Sequence, residues 1–175
     1  MSSNAPTFDE LLDGAGQSAV HLEMRDSYAV DYESAHFKEW RETGERSLDP
    51  PPDYFTDWVH LIERTVARGV TVRRARIVSE PVTEYIRYEH AGTPINIAAG
   101  EQVRWLSRRR ASDLALPGND FWLIDETVIR WNHFTGDGES SGGELSDDPA
   151  TAKLCATAFE AVWQRAVPHN EYEIH

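Results

Sequence analysis

The sequence predicts a single α/β domain, a mixed β-sheet with helices packed on both faces, and three observations carry that expectation. Asn119 to Phe134 holds two apolar runs on either side of Asp125-Glu126, the second β-branched and aromatic as strands prefer. With Asp125-Glu126 as a two-residue turn, Ile124 pairs with Thr127, Leu123 with Val128 and Trp122 with Ile129. Alternation then sets Trp122, Ile124, Ile129 and Trp131 on one face, and Phe121, Leu123, Val128 and Phe134 on the other. Both faces are apolar, so the hairpin belongs inside a layered core. The second observation is the helix-glycine-strand order from Asp53 to Ser79. Phe55, Trp58, Val59, Ile62 and Val66 recur at helical spacing up to Arg68, Gly69 closes the helix, and Val70 to Ser79 reads as a strand. The third is a C-terminal helix, with Asp148 as N-cap and Pro149 at the first helical position. Its stripe is Leu154, Cys155, Ala158, Phe159, Val162, Trp163 and Ala166, and Pro168 ends it. Burying Phe159 and Trp163 contributes roughly 2–3 kcal/mol each by area.

The remaining elements fall between these. Thr7 caps a short helix carrying Phe8, Leu11 and Leu12, which Gly14 ends. Ser18 to Arg25 reads as a strand, with Val20, Leu22 and Met24 on one side and His21, Glu23 and Arg25 on the other. His21 and Glu23 share a face and form a conceivable acid-base pair; a solvated or ion-paired face is the preferred reading. Asp31 caps a helix to about Thr43, docked by Tyr32, Ala35, Phe37 and Trp40 and stopped by Gly44. Asp49-Pro-Pro-Pro-Asp53 is a stiff connector within the domain. A short helix after Pro81 carries Val82, Tyr85, Ile86 and Tyr88, Pro94 to Gly100 reads as a loop, and Gln102 to Ser107 as a strand. Thr135 to Gly143, rich in Gly, Ser and acid, is expected to be a mobile surface loop.

Composition narrows the function. A chain of 175 residues is long enough to bury a real core. A formal charge of −13 argues against direct nucleic-acid binding, which needs a basic surface, and against anionic membranes. The one cysteine, Cys155, excludes an internal disulfide framework and fits a reducing cytoplasm as a small core hydrophobe. The first residues lack the basic and apolar regions of a signal peptide, and no run reaches membrane-spanning length. A cytoplasmic protein is expected.

Arg74 and Arg76 share one face of a strand flanked by Val70, Val72 and Val78. Buried guanidiniums need carboxylates or an anionic ligand, so these two are candidate ligand-binding residues, with internal ion pairing the weightier alternative. Asn132 and His133 join them, lying where a strand meets the Gly136-Asp137-Gly138 loop. His133 with Asp137 would make half a metal site, but a hydrogen-bonded histidine at a strand end is the preferred reading. Arg104 and the run Arg108-Arg109-Arg110 are the candidate partner-binding residues, against the plainer reading of a solvated turn. There is no Gly-rich phosphate loop, no His-Glu-x-x-His, no cysteine pair for zinc and no Gly-x-Ser-x-Gly. Neither a metal nor a cofactor is expected.

The runs His21 to Tyr28, Glu33 to Trp40 with Gly44, and Trp58 through Gly69 carry a resemblance, as do Val72 to Ser79, Pro81 with Tyr85 to Tyr88, Ala99 to Arg104, and Asp120 to Asp125. Across residues 8 to 172 they resemble an actinobacterial family of unknown function, encoded near helix-turn-helix regulators and small acidic proteins. The resemblance implies a phospholipase D-like fold and a helix-turn-helix regulator as partner. Phospholipase D chemistry needs a His nucleophile with a Lys two residues on, a supporting acid and a second such set. The one His-x-Lys here is His36-Phe37-Lys38, on a predicted amphipathic helix with Thr43 where the acid belongs, and it reads as accidental. The expectation is therefore a non-catalytic regulatory or interaction module sensing a small anionic ligand. The alternatives are a cryptic hydrolase or phosphodiesterase-like enzyme using Arg74, Arg76 and His133, and one half of a toxin–antitoxin-like pair.

Overall fold

The protein's computed structural model describes residues 5–29 and 31–175, with side chains over the same residues apart from 31–34. Strands β1 (Ser18–Glu23), β2 (Thr71–Val78) and β3 (Gln102–Ser107) run parallel. Strands β4 (Asp120–Ile124), β5 (Val128–Phe134), β6 (Ser140–Ser146) and β7 (Val167–Pro168) each pair antiparallel. The seven make one mixed sheet in the order β6-β5-β4-β1-β2-β3-β7.

The helices are α1 (Phe8–Gly14), α2 (Asp31–Thr43), α3 (Asp53–Ala67), α4 (Glu84–Ala98) and α5 (Pro149–Arg165). Helix α5 covers one face of the sheet. Its Cys155, Phe159, Val162 and Trp163 pack on Leu22, Ile77, Leu106, Phe121, Leu123 and Ile129. Leu154, placed in the predicted stripe, is 49% exposed. The other face carries α1 and α3 over Ala19, Val72, Trp122 and Ile124, and α4 over Val78, Val103 and Trp105. Phe37 and Trp40 of α2 dock on Tyr88 of α4, whereas Ala35 is exposed. The cap assigned to Asp31 and the docking of Tyr32 concern side chains outside the described residues. No helix among the described residues is long and apolar enough to cross a membrane.

The hairpin lies inside the sheet as predicted, but its register does not follow the two-residue turn. Ile124 faces Val128, Leu123 faces Ile129 and Trp122 faces Arg130. The loop therefore has three residues, Asp125 to Thr127, with Asp125 and Glu126 at φ 48° and 57°. A loop longer by one residue reverses every side chain that follows. Ile129 and Trp131 thus join Phe121 and Leu123 on the α5 side, and Arg130, Asn132 and Phe134 join Trp122 and Asp120 opposite. Asp125 sets this turn against β1, accepting backbone N–H bonds from Gly16 (2.8 Å), Gln17 (2.7 Å) and Ser18 (2.8 Å).

Two predicted loops are regular structure. Pro94 lies within α4, which runs on to Ala98 because Thr93, Ile95 and Asn96 are buried and tertiary packing outweighs the missing N–H. Gly92 in the same helix admits the Arg46 guanidinium, which an added Cβ would displace. Within the predicted loop Thr135 to Gly143, β6 begins at Ser140 and runs to Ser146, hydrogen-bonding to β5 through backbone groups that need no apolar side chains.

Candidate functional site

Strand register builds the floor of the site. His21 lies beside Arg74 across β1 and β2, and beside Trp122 across β1 and β4; Trp122 in turn lies beside Arg130. One row of the floor is therefore Arg130, Trp122, His21 and Arg74. Two residues along each strand, a second row runs Asn132, Asp120, Glu23 and Arg76. All eight point to the same face because successive side chains alternate. Phe8 of α1, Tyr54, Phe55 and Trp58 of α3, and Tyr85, Glu89 and Asn96 of α4 close over them. Tyr28 and Phe134 complete a cavity of about 350 Å³. Its aromatic walls are in contact: Phe8 stacks on Trp58 at 5.8 Å and tilts against Trp122 at 5.0 Å.

The charges are wired together. Arg74 donates through Nε to Glu101 at 2.5 Å and through Nη1 to Glu23 at 3.0 Å. Arg76 lies 3.0 Å from Glu23 through Nε and bonds Glu89 through Nη1 at 3.0 Å. Burial pushes the Glu23 carboxyl up, but the Arg76 and Arg74 guanidiniums outweigh it and hold Glu23 at about 2. Burial penalises both arginines, and the facing carboxylates still raise their pKa. His21 is stacked on Trp122 at 4.3 Å, and burial drives its pKa well down, keeping the ring neutral. Its Nε2 lies 3.4 Å from Asn132 Nδ2, and its Nδ1, which finds no hydrogen-bond partner among the described residues, faces Glu23 at 3.8 Å.

Asp120 differs from the other acids. It accepts the Tyr28 hydroxyl and the Met24 N–H, the latter at 2.9 Å, and burial lifts its carboxyl to about 6 against the Tyr28 bond, with Glu23 pushing the same way as burial. The Tyr28 hydroxyl is raised well above its usual value by burial and by Glu23 and Asp120.

Of the four sequence-predicted ligand residues, the structure brings Arg74, Arg76 and Asn132 to this cavity. His133 is turned to the opposite face, where its Nε2 lies 3.2 Å from Glu144 of β6 and not against Asp137. Among the described residues no group of three metal-ligating side chains assembles. His36 and Lys38 sit exposed on α2, with His36 against Tyr54, and neither lines the cavity. Arg104 packs its guanidinium 4.3 Å over Trp163 and bonds that residue's carbonyl. Arg108 ties strand ends together, reaching Met24 O at 2.5 Å and Ser79 Oγ at 3.0 Å, so only Arg109 and Arg110 of the basic run are exposed.

Sequence reasoning missed Asp120, Arg130, Glu89, Glu101, Tyr28 and Trp58 as site residues. The requirement that Arg74 and Arg76 find carboxylates signalled that such partners exist. With thirty acidic residues, nothing local says which they are.

The chain belongs to a family described as a domain of unknown function (DUF6879), whose profile matches residues 6–174. No curated protein matches the sequence. Among solved structures it is similar to Nuc, a phospholipase D family member from Salmonella typhimurium. That likeness has a TM-score of 0.52 at 13% identity, covering 91% of this chain and 86% of Nuc. TrmBL2, described as an archaeal chromatin protein with a novel mode of DNA binding, gives a TM-score of 0.49 at 13% identity, over 91% of this chain and 48% of its own. The likeness to Nuc is one of fold, and the fold is phospholipase D-like.

Proposed function

We propose that this member of the family is a non-catalytic regulatory module of the cytoplasm. It binds a small ligand bearing an acidic group in the cavity and acts through a helix-turn-helix transcriptional regulator. The observation that carries the reading is the ion-pair lattice of the floor. Arg74 and Arg76 are already engaged by Glu23, Glu89 and Glu101, so they stiffen the cavity and leave ligand contact to Arg130 and Asn132. Preorganised walls of this kind favour binding, since little is lost in ordering them. Among the described residues the lining contains no lysine, and its histidine is neutral with Asn132 at Nε2, an arrangement suited to recognition and not to attack on phosphorus. The regulator is expected at Arg109 and Arg110, where exposed guanidiniums can meet acidic groups.

The test is a thermal-shift screen of the purified protein against carboxylic acids, sugar phosphates, nucleosides and nucleotides, with bis(p-nitrophenyl) phosphate as a turnover control. A rise in melting temperature with an acidic compound, and no hydrolysis, is the expected result. Turnover above background, or no binder in any of these classes or among the amino acids, overturns the reading.

A further inference from the structure

Two charges on the cavity floor lack the partners that the others have. Among the described residues, no carboxylate lies within ion-pair distance of Arg130; its guanidinium bonds Asn132 Oδ1 and lies 5.4 Å from the Phe8 ring centre. Asp120 is 3% exposed, and among the described residues no Lys or Arg pairs with it. These two stand on adjacent strands at diagonal positions, because Asp120 faces Asn132 and Trp122 faces Arg130. Diagonal neighbours of this kind are about 7–8 Å apart.

The roof repeats the polarity. Trp58 Nε1 is a buried donor without a hydrogen-bond partner among the described residues, on a ring 5.8 Å from that of Trp122 in the Arg130 row. Glu89 Oε1 is a buried acceptor without a hydrogen-bond partner among the described residues, on the carboxylate that meets Arg76 in the Asp120 row. One spare donor, Trp58 Nε1, thus lies by the Arg130 row and one spare acceptor, Glu89 Oε1, by the Asp120 row, where the Arg76 Nε is held 3.0 Å from Glu23. The charge balance points the same way. Arg74, Arg76 and Arg130 offset Glu23, Glu89 and Glu101, leaving ionised Asp120 with the weak field of Arg25 and, among the described residues, no ion pair. A simple anion would add a second buried negative charge at a cost in desolvation, whereas a ligand carrying both signs adds none.

Resting on the ligand-binding reading above, we infer that the cavity takes a small zwitterion of the amino-acid class. Its carboxylate lies on Arg130 and Asn132, its ammonium on Asp120, and its side chain among the rings of Phe8, Trp58 and Phe134. A volume of about 350 Å³ is at the small end for ligand pockets, the size for one amino acid and not for a nucleotide.

The test is a thermal-shift scan with the twenty standard L-amino acids, followed by calorimetry on the best binder and on its deaminated and decarboxylated analogues. For phenylalanine these analogues are 3-phenylpropionate and phenethylamine. Both are expected to bind at least tenfold more weakly than the parent. Arg130→Gln should erase the preference over the decarboxylated analogue, and Asp120→Asn the preference over the deaminated one. Circular dichroism serves as the check that each variant folds; Asn at 120 can still bond Tyr28 and the Met24 N–H. No shift with any amino acid, or a deaminated analogue bound as tightly as its parent, overturns the zwitterion. A hit confined to non-zwitterionic acids leaves the ligand-binding module standing and removes only this inference.

Discussion

Glu101, 1% exposed, accepts the Nε–H of Arg74 at 2.5 Å with one oxygen and the Asn96 amide at 2.8 Å with the other. It is the keystone of the floor, since without it Arg74 keeps only Glu23, which Arg76 shares. Glu101→Ala should destabilise the fold by about 3–5 kcal/mol, the usual cost of breaking a buried pair. Replacing both ends, as Arg74→Met with Glu101→Leu, should recover much of that loss. Urea unfolding of the two variants is the measurement, and equal destabilisation by both would contradict it.

Asp125 joins the central turn to the start of β1. Burial works against its charge, and the Gly16, Ser18 and Gln17 N–H groups outweigh burial and hold its carboxyl below the ordinary value. The stability it contributes is present above the ordinary carboxylate pKa and lost as pH falls through the lowered value. Asp125→Ala should cost about 2 kcal/mol at pH 7, from the lost backbone bonds and a positive φ that Ala tolerates poorly. The gap between variant and wild type should narrow at pH 3 in denaturant titrations.

Asp120 has the opposite sign. Its folded pKa of about 6 lies above the unfolded value of 3.8. Its contribution is fully present below about 4 and lost as pH rises through about 6. Asp120→Asn should therefore gain on wild type between pH 4 and pH 8, by about 2–3 kcal/mol at most. Melting curves across that range give the answer, and parallel profiles for the two proteins would refute it.

The basic run separates into a structural and a surface part. Arg108 supplies bonds to Met24 O, Ile77 O and Ser79 Oγ, so Arg108→Glu should lower the melting temperature. Arg109→Glu with Arg110→Glu should leave it unchanged, as exposed charges contribute little. The double variant is the clean probe for the regulator: weakened recovery in a pull-down is expected, and undiminished recovery would exclude the patch.

How much of this was legible in the sequence divides along a physical line. Helices α1, α3 and α5 and the central strands announce themselves through caps and periodicity, which are local. The hairpin register does not, since a turn of two residues and one of three both suit Asp125-Glu126-Thr127. That single step decided whether Arg130 and Asn132 face the cavity. Pro94 and the β6 stretch Ser140–Ser146 misled because burial and strand pairing, both non-local, override weak local preference. Within the site, Arg74 and Arg76 were readable as charges on a shared strand face. Glu101, Glu89 and Asp120 were not, because each comes from a different element and meets the others only after folding.

The three-residue turn also constrains descent. A β-ribbon of one register cannot gain or lose a residue between Ile124 and Val128 without exchanging the Ile129-Trp131 surface for the Arg130-Asn132 surface, turning apolar groups to the cavity and charge to α5. Relatives that keep the cavity should vary in side chain across Asp125 to Thr127 but never in length. A lineage that does change length there must have rebuilt β5 and β6 together, or given up the site.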